Sequence, residues 1–447
     1  VAAAATGSGR RRLTRPTAAA LLLLLLSLTA FAALCLLRPT PMADLLVYRA
    51  EGRAVLDGTD LYGFRVTEWN LPATYPPFAA MLFVPTALLP LLPLKAAFAA
   101  TNVLLLALLV HLSLRLAAPA AGTRLATWPR GALVIGATAL GLWLEPVFQT
   151  MLFGQINLAL ACLVLWDLTR PDGARGKGLA IGVAAGIKLT PAIFAVYLLL
   201  TGRVRAALWS LAGFAGTVLA GVAVLPGASL EFWTRRMLET RRVGRVWIVD
   251  NQSLQGLFAR LLHTTDPGTV WRVAALVTAV AGLLLARHAV RAHGHEAWGV
   301  LCTALTAVLV SPISWSHHWV WCVPLLVLLA VEAGARPRPV LAVAALVLFT
   351  ARSHWLVPHD GVLDLRLPWW LQPAGSPYPL LGLGLLLFAA WRLRGTPQEP
   401  PPPGAAGESA GTGTSGTGTP GTAPVPGLPG PRQTSSPAAS SDASTMR

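Results

Sequence analysis

Charge is what this chain of 447 residues has least of. Only 12% of it is Asp, Glu, Lys or Arg, against roughly 25% in an ordinary soluble domain. With 54% apolar residues beside so little charge, a conventional water-soluble enzyme or binding module is excluded. Cysteine is equally sparse. The four thiols, Cys35, Cys162, Cys302 and Cys322, fall in or beside apolar runs with no paired spacing, so neither a disulfide framework nor a thiolate metal centre is indicated. Lysine is scarce, and the net charge of +16 comes from arginines at the N-terminus and in short segments between apolar runs. There they orient a membrane protein and do not indicate nucleic acid. No GxGxxG, Walker, HExxH or GxSxG pattern stands where it would carry meaning. No DxD motif of the kind that holds a metal in nucleotide-sugar transferases occurs either.

What is present is hydrocarbon. Apolar runs of Leu, Ala and Val recur near 18–37, 78–92, 95–114, 131–149, 155–168, 178–200, 208–225, 270–286, 297–311, 317–332, 338–352 and 378–394. Several approach the ~20 residues needed to cross a bilayer as a helix. The expected fold is therefore an all-α polytopic membrane protein with roughly 11–13 transmembrane or re-entrant helices. Residues 1–17 form a basic flank that places the N-terminus in the cytoplasm. Residues 18–37 are too long for a usual signal sequence and lack a small-residue cleavage site, so they are expected to stay as the first helix. Residues 395–447, rich in Pro, Gly, Ser and Thr, are expected to be a disordered tail. Two threadings fit the Pro-broken segments 78–92 and 178–200. The one that treats them as bent or re-entrant puts the basic loops at 115–130, 170–177 and 203–205 in the cytoplasm, as the positive-inside bias favours.

That threading collects the polar stretches on the outer side: a first loop at 38–77, FGQIN at 153–157, KLTP at 188–191, a second loop at 226–269, SPISWSHH at 311–318 and a cluster at His354, His359 and Asp360. A channel would spread polar groups through the membrane, and a transporter would show related halves with midplane sites. The pattern instead fits an enzyme working on a lipid-linked substrate at the outer leaflet. The first loop concentrates acidic residues (Asp44, Glu51, Asp57, Asp60, Glu68) in a chain that has only 19. Asp44 heads a stretch, DLLVYRAEGRAVL, spaced like a short helix lying in the interface; it is either a helix cap or a functional carboxylate. Lys188 sits inside an apolar run, which by default is a functional position, with snorkelling to the interface as the alternative. The arginines at 235–245 offer a second source of cations. His317 and His318 are adjacent, which is not a metal-ligand spacing. A histidine there suits proton transfer, or simply aromatic packing among Trp315, Trp319 and Trp321.

Several motifs, taken together and in order, carry a resemblance. DxxVYR from Asp44, GxDLY at 58–62, TYPPFA at 74–79, FGQIN, GIKLTP at 186–191, NQSLQGL at 251–257 and SPISWSHHW at 311–319 resemble glycosyltransferase family 87 over about residues 18–394. The resemblance implies a GT-C fold with 18–394 as the catalytic domain. It also implies inverting transfer of mannose from a polyprenyl-phosphate-mannose donor to an extracytoplasmic glycolipid or glycan, in an α-1,2 linkage. The family's actinobacterial members act on phosphatidylinositol mannosides, lipomannan and related glycans. Its first-loop aspartate falls on Asp44 as catalytic base, and its histidine on His317 with His318 as the neighbour to be distinguished. Lys188, Arg241 and Arg242 are expected to hold the donor phosphate. Tyr48, Arg49, Tyr62, Tyr75, Gln155, Asn157, Asn251, Gln252, Trp315 and Trp319 are expected to shape the substrate pocket. Because a prenyl phosphate is already a good leaving group, neither a strong general acid nor a metal or other cofactor is called for. Another prenyl-phosphate sugar, glucose or arabinose, fits the same residues. A lipid or glycan transporter, or an inactive scaffold, is the reading from a different class.

Overall fold

The computed structural model describes residues 14–38, 40–117, 127–335 and 339–395. The expectations for the N-terminal flank before residue 14, for 118–126 of the basic loop at 115–130, and for the tail from 396 lie outside the described residues. Among the described residues the chain is helical. Its only β pairings are isolated bridges, Val66 with Leu71 and Asn251 with Trp315.

The first helices are α1 (Arg15–Leu37), α2 (Ala43–Asp57), α3 (Pro77–Leu88), α4 (Leu91–Ala117), α5 (Arg130–Gly141), α6 (Glu145–Phe153), α7 (Asn157–Leu168), α8 (Leu179–Ile187), α9 (Ile193–Leu200) and α10 (Val204–Val224). They are followed by α11 (Pro226–Thr234), α12 (Thr240–Val243), α13 (Leu254–Leu261), α14 (Gly268–Arg291), α15 (Glu296–Val310), α16 (Cys322–Ala335), α17 (Val340–Ala351), α18 (Gln372–Gly375) and α19 (Pro377–Arg392). Five stretches are long and apolar enough to cross a membrane: α1, α4, α10, α14 and Ser316–Gly334. Two further candidates are bent pairs and five are shorter apolar helices. Exposed leucines such as Leu25, Leu92, Leu219 and Leu276 stud the long helices, which suits faces turned to lipid rather than water.

The break expected in 178–200 is there. Helix α8 stops at Ile187, Lys188 takes an extended conformation (φ −147°, ψ 128°), and a 3₁₀ turn at Thr190–Ala192 leads into α9. The run 131–149, expected to be one span, is instead α5 and α6 bent by 73°. Pro146 sits in the first turn of α6, where a proline starts a helix but cannot continue one.

Chain direction then sorts the ends. Helix α7 leaves from Asn157 and returns through α8 to Lys188, and α15 ends at Val310. The opposite ends of these helices carry ion pairs: Lys177 with Asp172 at 2.7 Å, and Arg203 with Glu296 at 2.5 Å. There too Asp167 accepts from the amides of Gly178 and Ala180 at 2.9 and 3.0 Å. Helix α8 is held in place by glycine. A Cβ on Gly182 would lie 2.0 Å from the Ser210 carbonyl oxygen, and one on Gly186 would lie 1.9 Å from the Thr217 hydroxyl. This four-residue repeat of small residues lets α8 meet α10 backbone to backbone at Gly182 and backbone to side chain at Gly186, and Lys188 follows two residues later.

Candidate active site

Five of the polar stretches meet around a cavity of about 260 Å³. Its lining includes Asp44, Tyr75, Gln155, Lys188, Trp315 and His318. Asp44 stands in the first turn of α2, whose N-cap is Met42 in the left-handed region (φ 45°), and no side chain caps that end. Asp44 is therefore not the cap that its position in the sequence allowed. Helix α2 is also more deeply set than an interfacial helix: Ala43, Leu45, Tyr48 and Glu51 are fully buried. The turn that meets it depends on Gly154. Its φ is +67°, and a Cβ there would come within 2.8 Å of the Leu45 Cβ. With that turn made, Gln155 points at Asp44. Tyr48 and Tyr75 both donate to Gln155 Oε1, at 3.0 and 3.3 Å, which fixes the amide so that its NH₂ faces the carboxylate.

Burial pushes the Asp44 carboxyl up to about 6; the Gln155 hydrogen bond and the Lys188 charge pull it down, and the charge of Asp250 adds to the rise. Asp250 is itself pushed to about 6 by burial, against hydrogen bonding from Ser316; the Ser316 amide donates to its Oδ1 at 3.1 Å. Sequence reasoning passed over Asp250. The available signal was a carboxylate immediately before Asn251-Gln252-Ser253 in a chain with few acids.

Opposite Asp44, Lys188 Nζ donates to Asn157 Oδ1 and to His318 Nε2, both at 3.0 Å. An ammonium has only donors, so His318 accepts at Nε2 and carries its proton on Nδ1. Among the described residues the third ammonium proton has no partner and is available to a ligand. The Tyr75 ring lies 5.7 Å from Nζ. Beyond Lys188 and His318 an apolar cleft of about 40 Å³ continues between Leu160, Val164, Phe194 and Trp321.

The structure separates the histidine pair. His318 lines the cavity. His317, the position the family pattern indicated, is 3% exposed, packs on Phe153 and His318, and has both ring nitrogens unpartnered. A 3₁₀ turn over Ser316–Trp321 explains this, because consecutive side chains there are rotated by a third of a turn. Only the His317 carbonyl is used, by Asn157 and Thr150.

Other expected residues are also placed elsewhere. Arg242 braces the first loop through the carbonyls of Tyr62 and Ala73, and Arg241 lines a different cavity. The arginine in the Asp44 cavity is Arg236, already paired with Glu231 and Glu239 at 2.6 and 2.8 Å. Arg236 keeps N–H groups to spare, but two carboxylates offset its charge, whereas among the described residues Lys188 is in no ion pair. Arg49 is held by the Leu89 carbonyl at 2.7 Å. Tyr62 is buried and donates to the Tyr75 carbonyl at 3.0 Å. Asn251 and Gln252 are 0% exposed and join the second loop to 311–319. Asn251 Oδ1 accepts from the Ser314 amide, and Gln252 bonds Val249, Gly375 and Tyr378. Trp319 is equally buried and donates to the Gln252 carbonyl at 3.2 Å. These three shape the frame, not the pocket wall. Among the described residues no three His, Cys, Asp or Glu side chains are grouped for a metal ion.

An all-helical membrane protein with a carboxylate facing an ammonium at the convergence of its polar loops is a polytopic membrane enzyme built for group transfer. The profile of glycosyltransferase family 87 matches residues 73–312. The chain is 35% identical over 379 residues to a polyprenol-phosphate-mannose-dependent alpha-(1-2)-phosphatidylinositol mannoside mannosyltransferase of Mycobacterium tuberculosis (strain ATCC 25618 / H37Rv), covering 79% of this chain and 86% of that one. It is also 35% identical over 406 residues to a polyprenol-phosphate-mannose-dependent alpha-(1-2)-phosphatidylinositol pentamannoside mannosyltransferase of M. tuberculosis (strain CDC 1551 / Oshkosh), covering 86% and 91%. A mannoside mannosyltransferase of Mycolicibacterium smegmatis is 34% identical over 364 residues, covering 75% and 80%. No solved structure matches the chain. The chain belongs to glycosyltransferase family 87 and is a membrane glycosyltransferase.

Proposed function

We propose that the protein moves a mannosyl group from polyprenyl-phosphate-mannose to a phosphatidylinositol mannoside, forming an α-1,2 linkage at the extracytoplasmic face of the cell membrane. The observation that carries this reading is the facing pair of Asp44 and Lys188 in one cavity. Asp44, poised near 6, accepts the proton of the acceptor hydroxyl as its oxygen attacks the anomeric carbon. The bond from that carbon to the donor phosphate oxygen breaks, and the phosphate leaves with the electron pair. Lys188 meets the growing charge with its remaining proton, while Asn157 and His318 hold the ammonium in place. Attack opposite the leaving group inverts a β-linked donor to an α-linked product. The apolar cleft beyond Lys188 suits the first isoprene of the donor. A monophosphate held by a fixed cation needs no metal, so a chelator should leave the rate unchanged. The arginines of the helix ends opposite the cavity support a cytoplasmic assignment of that end by the positive-inside rule.

The test is a transfer assay with the full chain in lipid, radiolabelled polyprenyl-phosphate-mannose and mannosylated lipid acceptors. Label passing to the acceptor in wild type and not in Asp44→Ala, and released by α-mannosidase, supports the reading. Transfer from a different prenyl-phosphate sugar alone would overturn the donor assignment. Transfer surviving in Asp44→Ala would overturn the role of the base.

A further inference from the structure

A second cavity, of about 570 Å³, lies against the catalytic one and is in the size range of small-ligand sites, ~300–1,000 Å³. Thr240 lines both cavities, so the short helix α12 is the wall between them. The chain then passes Gly244, whose backbone lies against the Trp315 ring so closely that a Cβ would come within 2.7 Å of it. The second cavity is bounded by Trp247 and Trp271, by the arginines 241, 245 and 272, and by Gln255. Gln255 is the informative residue. It is 8% exposed, yet its side-chain carbonyl has no hydrogen-bond partner. A buried amide carbonyl left in this state is destabilising; the oxygen itself is closed off, but its residue lines the cavity, and a turn of the side chain about its terminal bonds would bring the carbonyl to a ligand.

The chemistry selects the ligand. A phosphate brings only acceptors and would leave the Gln255 carbonyl unpaired; a sugar hydroxyl donates to it and accepts from the same amide. Two indoles offer flat apolar faces to the C–H side of a pyranose. Trp247 is held rigid by donating to the Gly361 carbonyl at 2.9 Å. Guanidinium donors suit hydroxyl oxygens. Asp266 is the only carboxylate in the lining, and one of its oxygens already accepts from the Gly268 amide at 3.0 Å. Three arginines against one carboxylate keep the cavity positive, as suits a glycan carrying a phosphodiester.

We propose that this cavity binds the hexose units of the acceptor glycan behind the sugar that reacts at Asp44, so that the enzyme reads the length of its acceptor. This rests on the mannoside-acceptor reading above. It also gives Arg241 a different ligand from the donor phosphate expected for it.

The test measures equilibrium binding of mannose oligosaccharides, from disaccharide to tetrasaccharide, to the full chain in lipid without donor, together with kcat/KM for the same series. Wild type should bind the longer glycans more tightly. Trp271→Ala, Gln255→Leu and Arg241→Ala should each lose at least about tenfold of that gain, with the same fall in the long-to-short ratio of kcat/KM. Arg241 is exposed, so its variant guards against misfolding of the other two. Free and phosphoinositol-linked mannosides separate sugar from phosphate recognition; an arginine variant that affects only the linked form, with Gln255→Leu silent, overturns the proposal. So does binding in wild type that is independent of length. Length-dependent binding lost in the variants, with no transfer of mannose from any donor, would remove the transfer reading and leave this one standing.

Discussion

Asp44 and Glu145 are both carboxylates in the first turn of a helix, and they are treated in opposite ways. Glu145 is 0% exposed. Its oxygens accept from Trp355 Nε1 at 2.9 Å and Tyr378 Oη at 2.6 Å, with His354 Nε2 at 3.3 Å. Asp44 has the Gln155 amide beside it and otherwise faces the cavity opposite a lysine. One carboxylate has its hydrogen-bonding capacity consumed by the protein; the other has it left over. In a chain with so few acids, the contrast is between a fully buried, partnered carboxylate and a half-buried one with spare capacity facing a cavity.

The largest expected effect breaks the pair on the Asp44 side. Asp44→Asn should reduce transfer by about a thousandfold, within the ~10²–10⁴ of a general base, while the protein stays folded. The sign on stability follows from the raised carboxyl. A group lifted from 3.8 to about 6 is harder to ionise folded than unfolded, so its charge opposes folding above that range. The neutral amide should therefore leave the melting temperature at pH 7.5 equal or higher. A melting temperature that falls together with activity would make Asp44 a structural residue like Glu145.

The next effect separates the two histidines. His318→Ala removes the acceptor of a Lys188 hydrogen bond and should lower kcat/KM by roughly ten- to a hundredfold, on the order of 1.4–3 kcal/mol, seen mainly at low donor concentration. His317→Phe replaces an unpartnered buried imidazole with a ring of similar shape. It should retain turnover within a few-fold, because burying an unsatisfied polar group is itself unfavourable. Donor-dependence curves for the two variants decide it; equal losses would return His317 to the site.

Much of this arrangement is written in the residues. The Pro-containing break put Lys188 where no helix continues, and the aspartate after the first span does line the cavity. What was hidden is orientation. Adjacent His317 and His318 differ only by a rotation within a 3₁₀ turn. Asn251 and Gln252 read as pocket residues because a polar motif between apolar runs suggests function, yet their amides are consumed in joining two loops. Arg241 and Arg242, also neighbours, diverge to a second cavity and to the first loop. Such assignments depend on which backbone groups lie across the fold, at separations such as the 63 residues between Ser314 and Asn251. Spacing along the chain does not encode them.

Glu145→Gln tests the other side of the comparison. It keeps the shape but weakens two hydrogen bonds to a charged acceptor, so it should destabilise the fold by about 1–3 kcal/mol. Activity per folded molecule should stay within a few-fold of wild type. Thermal unfolding alongside active-site-normalised transfer measures both. A thousandfold loss per folded molecule would place Glu145 with Asp44.

The smallest effect is the most specific. Asp250 is a second carboxyl held near 6, and its charge raises Asp44. A base acts only when deprotonated, so transfer should rise with pH through about 6, and wild type should show an acid limb shared by two interacting groups. Asp250→Asn keeps an oxygen for the Ser316 amide but removes the charge. Asp44 then ionises more readily, and the limb should become a single step displaced to lower pH, with little change in rate above pH 7.5. The pH profile of kcat/KM from 5 to 8 reads this directly. A limb that stays in place means that Asp250 does not act on Asp44; a limb displaced upward means that the base is some other group.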